Sequence, residues 1–272
     1  MKRLLKNITP PALYSLLRKL RPAPRLAPVW NTLAYEPVRG VKMFFDPAGA
    51  WQKKMLDGSY DKALFDEARK MNLEAKTVFD VGAHIGFHSL YFSRLVGPRG
   101  RVIAFEPNPK NVERLTMNRD ANPDIKDRVT ILDIAASDAV GTAEFTMNED
   151  IESGRSSGGY IGGARPIWGA EAFKQRGFLK MKAKTLPLDS LPTLGIDAKP
   201  DLIKIDVEGA EGLVLKGAEK LLRTSKPALL MEVHSMPAML DAVSFLSKLS
   251  YDMSIFSTEP DGRCLVKAVY RP

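Results

Sequence analysis

Val78-Phe79-Asp80-Val81-Gly82-Ala83-His84-Ile85-Gly86 decides how this chain is read. The apolar run ending at Val81 is short and closed by a glycine, as expected of a buried strand. The following residues, 89–96, have the composition of a helix that ends at Gly97-Pro98-Arg99-Gly100. A glycine-bearing turn between strand and helix is where an open α/β sheet places its ligand. Gly82 lets the backbone turn tightly and approach a ligand without a Cβ. Gly86 allows close packing where the helix starts. The unpaired N–H groups of a helix's first turn favour an anionic group. Asp80 puts a carboxylate at the strand tip, suited to an ammonium directly or through water.

Outward from this turn the chain keeps an α/β rhythm. Strands are predicted at 101–105, 129–135, 202–206 and 228–233, and helices at 60–71, 109–118, from about 207 to 222, and at 236–249. Pro109 is placed for a first helical turn. Residues 251–256 and 263–270 flank Glu259-Pro260-Asp261-Gly262 and read as a terminal antiparallel hairpin. The rhythm breaks once. After a strand at 142–147 comes a Gly/Ser-rich stretch, and an insertion is expected at about 148–180, as a lid, a binding loop or a surface excursion. Leu188-Asp189-Ser190-Leu191 reads as a turn before the strand at 202.

Three features carry chemistry. Glu106, in Ala104-Phe105-Glu106-Pro107-Asn108, ends the second strand, where an acid accepts hydrogen bonds from both hydroxyls of a ribose. A dinucleotide site would do the same, but its G-x-G-x-x-G turn needs a second glycine to admit a pyrophosphate. Here that position is His84, so the turn suits a nucleoside without pyrophosphate. In Asp201-Leu202-Ile203-Lys204-Ile205-Asp206-Val207-Glu208-Gly209-Ala210-Glu211, Asp206 ends another strand beside the same crevice. Lys204, inside an apolar strand, needs a partner if buried. Glu208 and Glu211 lie near a helix start, where carboxylates are favoured. His234 follows the strand at 228–233. Asp206, Glu208 and His234 are the candidates for orienting or deprotonating a substrate hydroxyl. Asp206, Glu208 and Glu232 offer oxygens to a hard cation, but no ligand pattern is specific enough to assign a metal.

The 272 residues are 44% hydrophobic and 26% charged, an ordinary globular balance, and no apolar run is long enough to span a membrane. The single cysteine, Cys264, excludes an internal disulfide and a multi-cysteine zinc site. Of the net charge of +8, Lys2, Arg3, Lys6, Arg18, Lys19, Arg21 and Arg25 precede the first acidic residue, Glu36. Thr9 can cap a helix whose first turn accepts Pro10 and Pro11. Leu13, Leu16, Leu17 and Leu20 then form one apolar stripe. Residues 1–60 are expected to be a basic helical arm and linker, its proline-rich part at 21–37 reading as a linker or a wrapping arm, and 61–272 the main domain. The arm suits either packing on the domain or an anionic membrane surface. The expected location is cytoplasmic, with peripheral contact at the inner face of a membrane.

These motifs, in this order, resemble the FkbM family of S-adenosylmethionine-dependent methyltransferases. The resemblance runs from about Thr77 to His234. It rests on Phe79–Gly86, Phe105-Glu106-Pro107, Ala135-Ala136-Ser137-Asp138, Leu188-Asp189-Ser190-Leu191, Lys204-Ile205-Asp206-Val207-Glu208-Gly209 and Met231-Glu232-Val233-His234. It implies a Rossmann-like class I methyltransferase fold. That fold is a mostly parallel seven-stranded sheet ending in an antiparallel hairpin, with helices on both faces. It further implies methyl transfer from S-adenosylmethionine to a hydroxyl of a glycan or small metabolite. Carried over by position, Asp80, Gly82, Ala83, His84 and Gly86 line the methionyl side. Glu106 and Pro107 hold the ribose, and Ala135, Ala136, Ser137 and Asp138 lie near the adenine. The family commonly has Asn where this chain has His84. The competing readings are an NAD-dependent oxidoreductase and a non-catalytic nucleoside-binding module. A nucleic-acid acceptor is disfavoured, because the strand tip at Asp206 lacks an Asn/Asp-Pro-Pro-aromatic tetrad.

Overall fold

Alternating short strands and amphipathic helices order themselves around one sheet in the computed structural model, which describes residues 27–148, 159–162, 178–259 and 262–272. The elements are β1 (Val29–Thr32), β2 (Lys42–Phe45), α1 (Ala50–Asp57), α2 (Lys62–Lys70), β3 (Thr77–Val81), α3 (Phe87–Leu95), β4 (Arg101–Phe105), α4 (Pro109–Asp120), β5 (Val129–Leu132), β6 (Ala135–Ala136), β7 (Gly141–Asn148), β8 (Tyr160–Ile161), β9 (Phe178–Leu186), β10 (Leu202–Ile205), α5 (Glu211–Lys216), α6 (Glu219–Ser225), β11 (Ala228–Val233), α7 (Met236–Ser247), β12 (Tyr251–Thr258) and β13 (Cys264–Tyr270). The main sheet has the order β12-β13-β11-β10-β3-β4-β5. Its five strands from β11 to β5 are parallel, and β13 runs antiparallel to both β11 and β12. This is the seven-stranded arrangement expected from the sequence.

The period of two along each strand divides the core into two layers. Phe79, Val81, Ile103, Phe105, Ile203, Ile205, Leu229 and Met231 pack against α5, α6 and α7. Val78, Val102, Ala104, Leu202 and Leu230 face the other way, toward α2, α3 and α4. Helices therefore cover both faces. Asp80 and Lys204 occupy positions of the second set, so their side chains start on the same face.

Four sequence expectations need correction. The described part of residues 1–60 is not a linker. β1 and β2 pair as a hairpin, and Leu33, Val38, Val41, Met43, Phe45 and Met55 are buried in the core with α2 and α3. Asn118 of α4 and Asn122, just beyond its end, satisfy the free backbone groups of β2, at Phe44 N, Lys42 N and Lys42 O. The basic arm itself, with its Leu13–Leu20 stripe, lies outside the described residues. Second, the strand predicted at 129–135 is two strands in two sheets: β5 ends the main sheet, while β6 joins a four-stranded sheet of order β6-β9-β7-β8. The strand expected at 142–147 is β7 of that sheet. Third, β9, the partner of β7, occupies the end of the expected insertion; residues 149–158 and 163–177 lie outside the described ones. Fourth, the helix expected through 222 is divided at Gly217, whose backbone lies so close to Ser137 O that a Cβ would sit 1.9 Å from it.

The turn expected at Leu188-Asp189-Ser190-Leu191 is a 3-10 helix, Leu188–Leu194. Asp189 accepts hydrogen bonds from Lys220 N and Leu221 N, each 2.8 Å, and so caps the start of α6 from a distant segment. Asp189→Ala is expected to cost about 0.5–2 kcal/mol, the value of a lost helix cap. Denaturant unfolding measures this, and affinity for a ligand at the β3 turn should be unchanged.

Candidate active site

A cavity of about 980 Å³, open mouth included, lies beyond the carboxyl ends of β3, β4 and β10. Its floor is made by Val81, Gly82, Ala83 and His84 after β3, by Phe105, Glu106 and Pro107 at β4, and by Asp206, Val207 and Glu208 after β10. Ile134, Ala135 and Ala136 form one wall, with Phe145, Tyr160 and Ile161 of the second sheet behind them. Glu232 and Arg263 close the opposite end. Met55 and Tyr60 form a roof from the N-terminal segment. A second cleft shares Tyr60, His84, Glu232 and Arg263 with the first, and opens past Trp51, Lys54, Ser59 and Lys62.

The β3 turn is held by its own backbone. Gly82 N and Ala83 N both donate to Phe105 O at 3.0 Å. Gly82 has φ +83°, and a Cβ there would lie 1.8 Å from Asp206 O, so no other residue fits between the two strand ends. A Cβ on Gly86, at φ +91°, would meet Leu115 Cδ1 at 2.2 Å, which confirms the close packing expected at the helix start. His84 also has a positive φ, +51°. Asn and His tolerate that region better than β-branched residues, which explains in backbone terms why Asn and His can exchange here. Burial lowers the His84 pKa to about 4, so the ring is neutral near pH 7.

Glu106 is 5% exposed. Its Oε2 accepts from His84 N at 2.8 Å, and its Oε1 from Asn108 N at 2.9 Å and Asn111 Nδ2 at 3.1 Å. A carboxylate has about four acceptor positions, so one remains for a ligand.

Lys204 is wholly buried and has the partner its position demands. Its Nζ lies 3.1 Å from Asp80 Oδ1 and 3.6 Å from Asp206 Oδ2, and donates to Gly82 O at 2.9 Å. Asp80 is also wholly buried, and Ser89 Oγ donates to its Oδ2 at 2.6 Å. Burial opposes the Lys204 charge, but Asp80 and Asp206 outweigh it and hold the ammonium above its ordinary range.

Behind Asp206 lies a chain of ionisable groups. His234 is 1% exposed; its Nδ1 is 2.6 Å from Glu211 Oε1. Its Nε2 is 3.6 Å from Asp206 Oδ1 and 3.4 Å from Glu208 Oε2. Burial lowers the His234 pKa, but Glu208, Glu211 and Asp206 together raise it to about 10. Burial raises Asp206, while Lys204 and His234 pull it below its usual value. Burial pushes Glu208 up to about 7 and Glu232 to about 8. Arg263 is ion-paired with Glu232.

Of the residues expected at the site, Gly82, Ala83, His84, Glu106, Pro107, Ala135, Ala136, Asp206 and Glu208 line the cavity together. Five do not. The Asp80 carboxylate is taken by Lys204 and Ser89, so it does not reach the cavity. Gly86 packs against Leu115. Ser137 is buried beyond the wall, and Asp138 is exposed. His234 sits behind Asp206 and Glu208 and does not line the cavity. Met55, Tyr60, Phe145, Tyr160, Ile161 and Arg263 were not foreseen.

The sheet order, the glycine turn after β3 and the buried acid after β4 define a class I S-adenosylmethionine-dependent methyltransferase. The profile of the methyltransferase FkbM domain matches residues 80–253, and the chain belongs to that family. It is 30% identical to the hexuronic acid methyltransferase AglP of Haloferax volcanii over 215 residues, 78% of each chain. It is 33% identical to the methyltransferase sdnD of Sordaria araneosa over 159 residues, 53% of this chain and 60% of that one. The crystal structure of an FkbM methyltransferase from Methylobacillus flagellatus superposes with a TM-score of 0.53 at 19% identity, covering 80% of this chain. The chain spans about half of that protein, 52%. S-adenosylmethionine is the cofactor, and the cavity fits it: a buried carboxylate with a spare acceptor position faces the space beside the glycine turn. Among the described residues no helix is long and apolar enough to cross a membrane.

Burial pushes the Glu106 carboxyl up to about 7 from 4.5, against the N–H groups of Asn108, Asn111 and His84. Between those values the folded chain keeps a proton that the unfolded chain has lost, so this group makes stability fall as pH rises through the window. Glu106→Gln should flatten that dependence. It should also lower overall stability, because its amide NH₂ meets donors where an oxygen accepted. Thermal melts at about pH 5 and about pH 7 compare the two.

Proposed function

We propose that this methyltransferase methylates a hydroxyl oxygen of a sugar or a similarly hydroxylated small metabolite. The observation that carries the reading is the position of Asp206. It keeps 23% of its side chain exposed at the polar end of the cavity, between the β3 turn and the second cleft. The cofactor supplies an electrophilic methyl on a sulfonium. Glu106 accepts from the ribose hydroxyls at the far side of the turn, Gly82 to His84 run along the methionyl side, and Ala135 and Ala136 face the adenine. The acceptor enters through the second cleft, where Trp51 and Tyr60 offer aromatic surface and Lys54, Asp61, Lys62, Glu232, Glu259 and Arg263 offer charged groups of both signs. The relative's hexuronic acid substrate supports an acceptor of this polarity.

Transfer needs the acceptor oxygen in line with the S–CH₃ bond, so positioning supplies much of the rate. Asp206 accepts the hydrogen bond of the acceptor hydroxyl and fixes its lone pair toward the methyl. With the cofactor bound, a carboxylate of the cluster or water would take the proton of the acceptor hydroxyl. His234, held by Glu211, acts as a positioning residue for Asp206 and Glu208.

Transfer of labelled methyl to a panel of hexuronic acids, neutral sugars and hydroxylated metabolites tests the reading. Label on a nitrogen or on no hydroxyl acceptor would overturn it. Glu106→Ala, in folded protein, should weaken S-adenosylmethionine binding by about 1.5–3 kcal/mol in calorimetry, the range for hydrogen bonds to a charged group.

Asp206→Asn keeps the size and one acceptor oxygen but removes the charge. It should lower turnover roughly 10²-fold, the lower end for proton-transfer catalysis, with little change in cofactor affinity. Asp189→Asn serves as the comparison and should act on stability alone. Normal turnover of Asp206→Asn would move the role to Glu208 or Glu232.

A further inference from the structure

We infer that Asp206, Glu232 and His234 form a binding site for a divalent cation of mixed oxygen and nitrogen preference, at the acceptor end of the cavity. One ligand atom from each residue lies within 4.8 Å of the other two. Bonds of about 2.0–2.2 Å separate neighbouring ligands around a cation by roughly 3 Å and opposite ones by a little over 4 Å. The three atoms therefore need only a small inward movement to share one ion.

The histidine supplies the second, independent observation. His234 is 1% exposed, yet its Nε2 has no hydrogen-bond partner and points at the Asp206 and Glu208 carboxylates. Its Nδ1 is bonded to Glu211 Oε1 at 2.6 Å. A carboxylate holding the remote nitrogen of an imidazole is the usual outer shell of a metal-binding histidine, because it fixes the tautomer and the ring orientation. Glu211 is itself wholly buried and bonded to Gly209 N at 3.1 Å, so this outer shell is rigid. Glu232 gives Oε1 to Arg263 and retains a second oxygen.

The charge count favours a cation. Asp80, Asp206, Glu208, Glu211 and Glu232 face Lys204, Arg263 and His234, so the carboxyl groups of the cluster outnumber its basic groups. Two carboxylates and one imidazole suit Mn²⁺ better than Ca²⁺, which takes oxygen ligands. Binding displaces any proton on His234 Nε2 to solvent. Asp206 and Glu232 both line the cavity, so the ion's remaining positions open on it. An acceptor hydroxyl could occupy one of them; that role, though not the site, rests on the methyl-transfer reading.

The test is a titration of the chelator-treated full-length chain with Mn²⁺, read by calorimetry and by electron paramagnetic resonance, without cofactor or acceptor. One site per chain is expected. Asp206→Asn and His234→Gln should each weaken it at least about 10-fold, and Glu211→Gln about 10- to 100-fold, the range for outer-shell partners. Circular dichroism establishes folding, and if His234→Gln does not fold, the partly exposed Asp206 decides. Absence of Mn²⁺ binding at millimolar concentrations, or equal binding by the wild type and Asp206→Asn, overturns the inference. Label transfer by the same chelator-treated protein, with and without Mn²⁺, separates the two claims. Mn²⁺ binding with no hydroxyl acceptor methylated sinks the proposed reaction and leaves the site. Methylation without any Mn²⁺ binding does the reverse.

Discussion

The ion pair between Lys204 and Asp80 is the constraint on which the rest of the site depends. The two residues are direct neighbours in the parallel register of β10 and β3. Neither is exposed to solvent. An unpaired charge at that depth is untenable, and losing either member of such a pair costs about 3–5 kcal/mol. The same ammonium also binds Gly82 O, and reaches toward Asp206. One side chain thereby fixes the glycine turn and the end of β10 to each other. The absent Cβ of Gly82 serves the same contact, since Asp206 O occupies the place where it would be.

Strand alternation explains why the ionisable residues gather. Asp80, Lys204 and Glu232 all point to the face away from α5, α6 and α7. Glu106, Asp206 and His234, each just beyond a strand end, reach the same side of the sheet at its edge. On the opposite face the buried positions, from Phe79, Ile103 and Ile203 to Val81, Phe105 and Ile205, are apolar. Charge is thus confined to one layer and one end, and the second sheet and the N-terminal segment enclose it. Low solvent access then raises Glu106, Glu208 and Glu232. Lys204 and His234 keep Asp206 ionised.

Much of this was readable in the sequence where the signal is local. The bounds of β3, β4 and β11 follow from short apolar runs closed by turn residues, and the glycine turn and Glu106 follow from their positions at strand ends. The demand of Lys204 for a partner was also clear, yet Asp80 was assigned to the ligand. Alternation would have joined them, as the charged residues inside two adjacent apolar strands. The division of 129–135 between two sheets was hidden, because a period of two says which side a residue faces but not which strand it pairs with. Met55, Tyr60 and Arg263 reach the cavity from segments remote in sequence, and nothing beside them marks it. Residues 27–60 looked like a linker because prolines dominate its start, while its buried residues, Leu33, Val38, Val41, Met43 and Phe45, are too scattered to show a period.

The segment that covers the site has a further consequence. It precedes the main sheet in sequence, but its backbone is completed by Asn118 and Asn122, whose contacts with β2 span 74 to 80 residues. Closing a loop of that size costs entropy before any contact compensates for it. The hairpin packs its apolar residues with α2 and α3, but its backbone groups at Lys42 and Phe44 find these partners only once Asn118 and Asn122 are in place. The cover over the cavity is therefore completed only by residues that follow β4 in sequence.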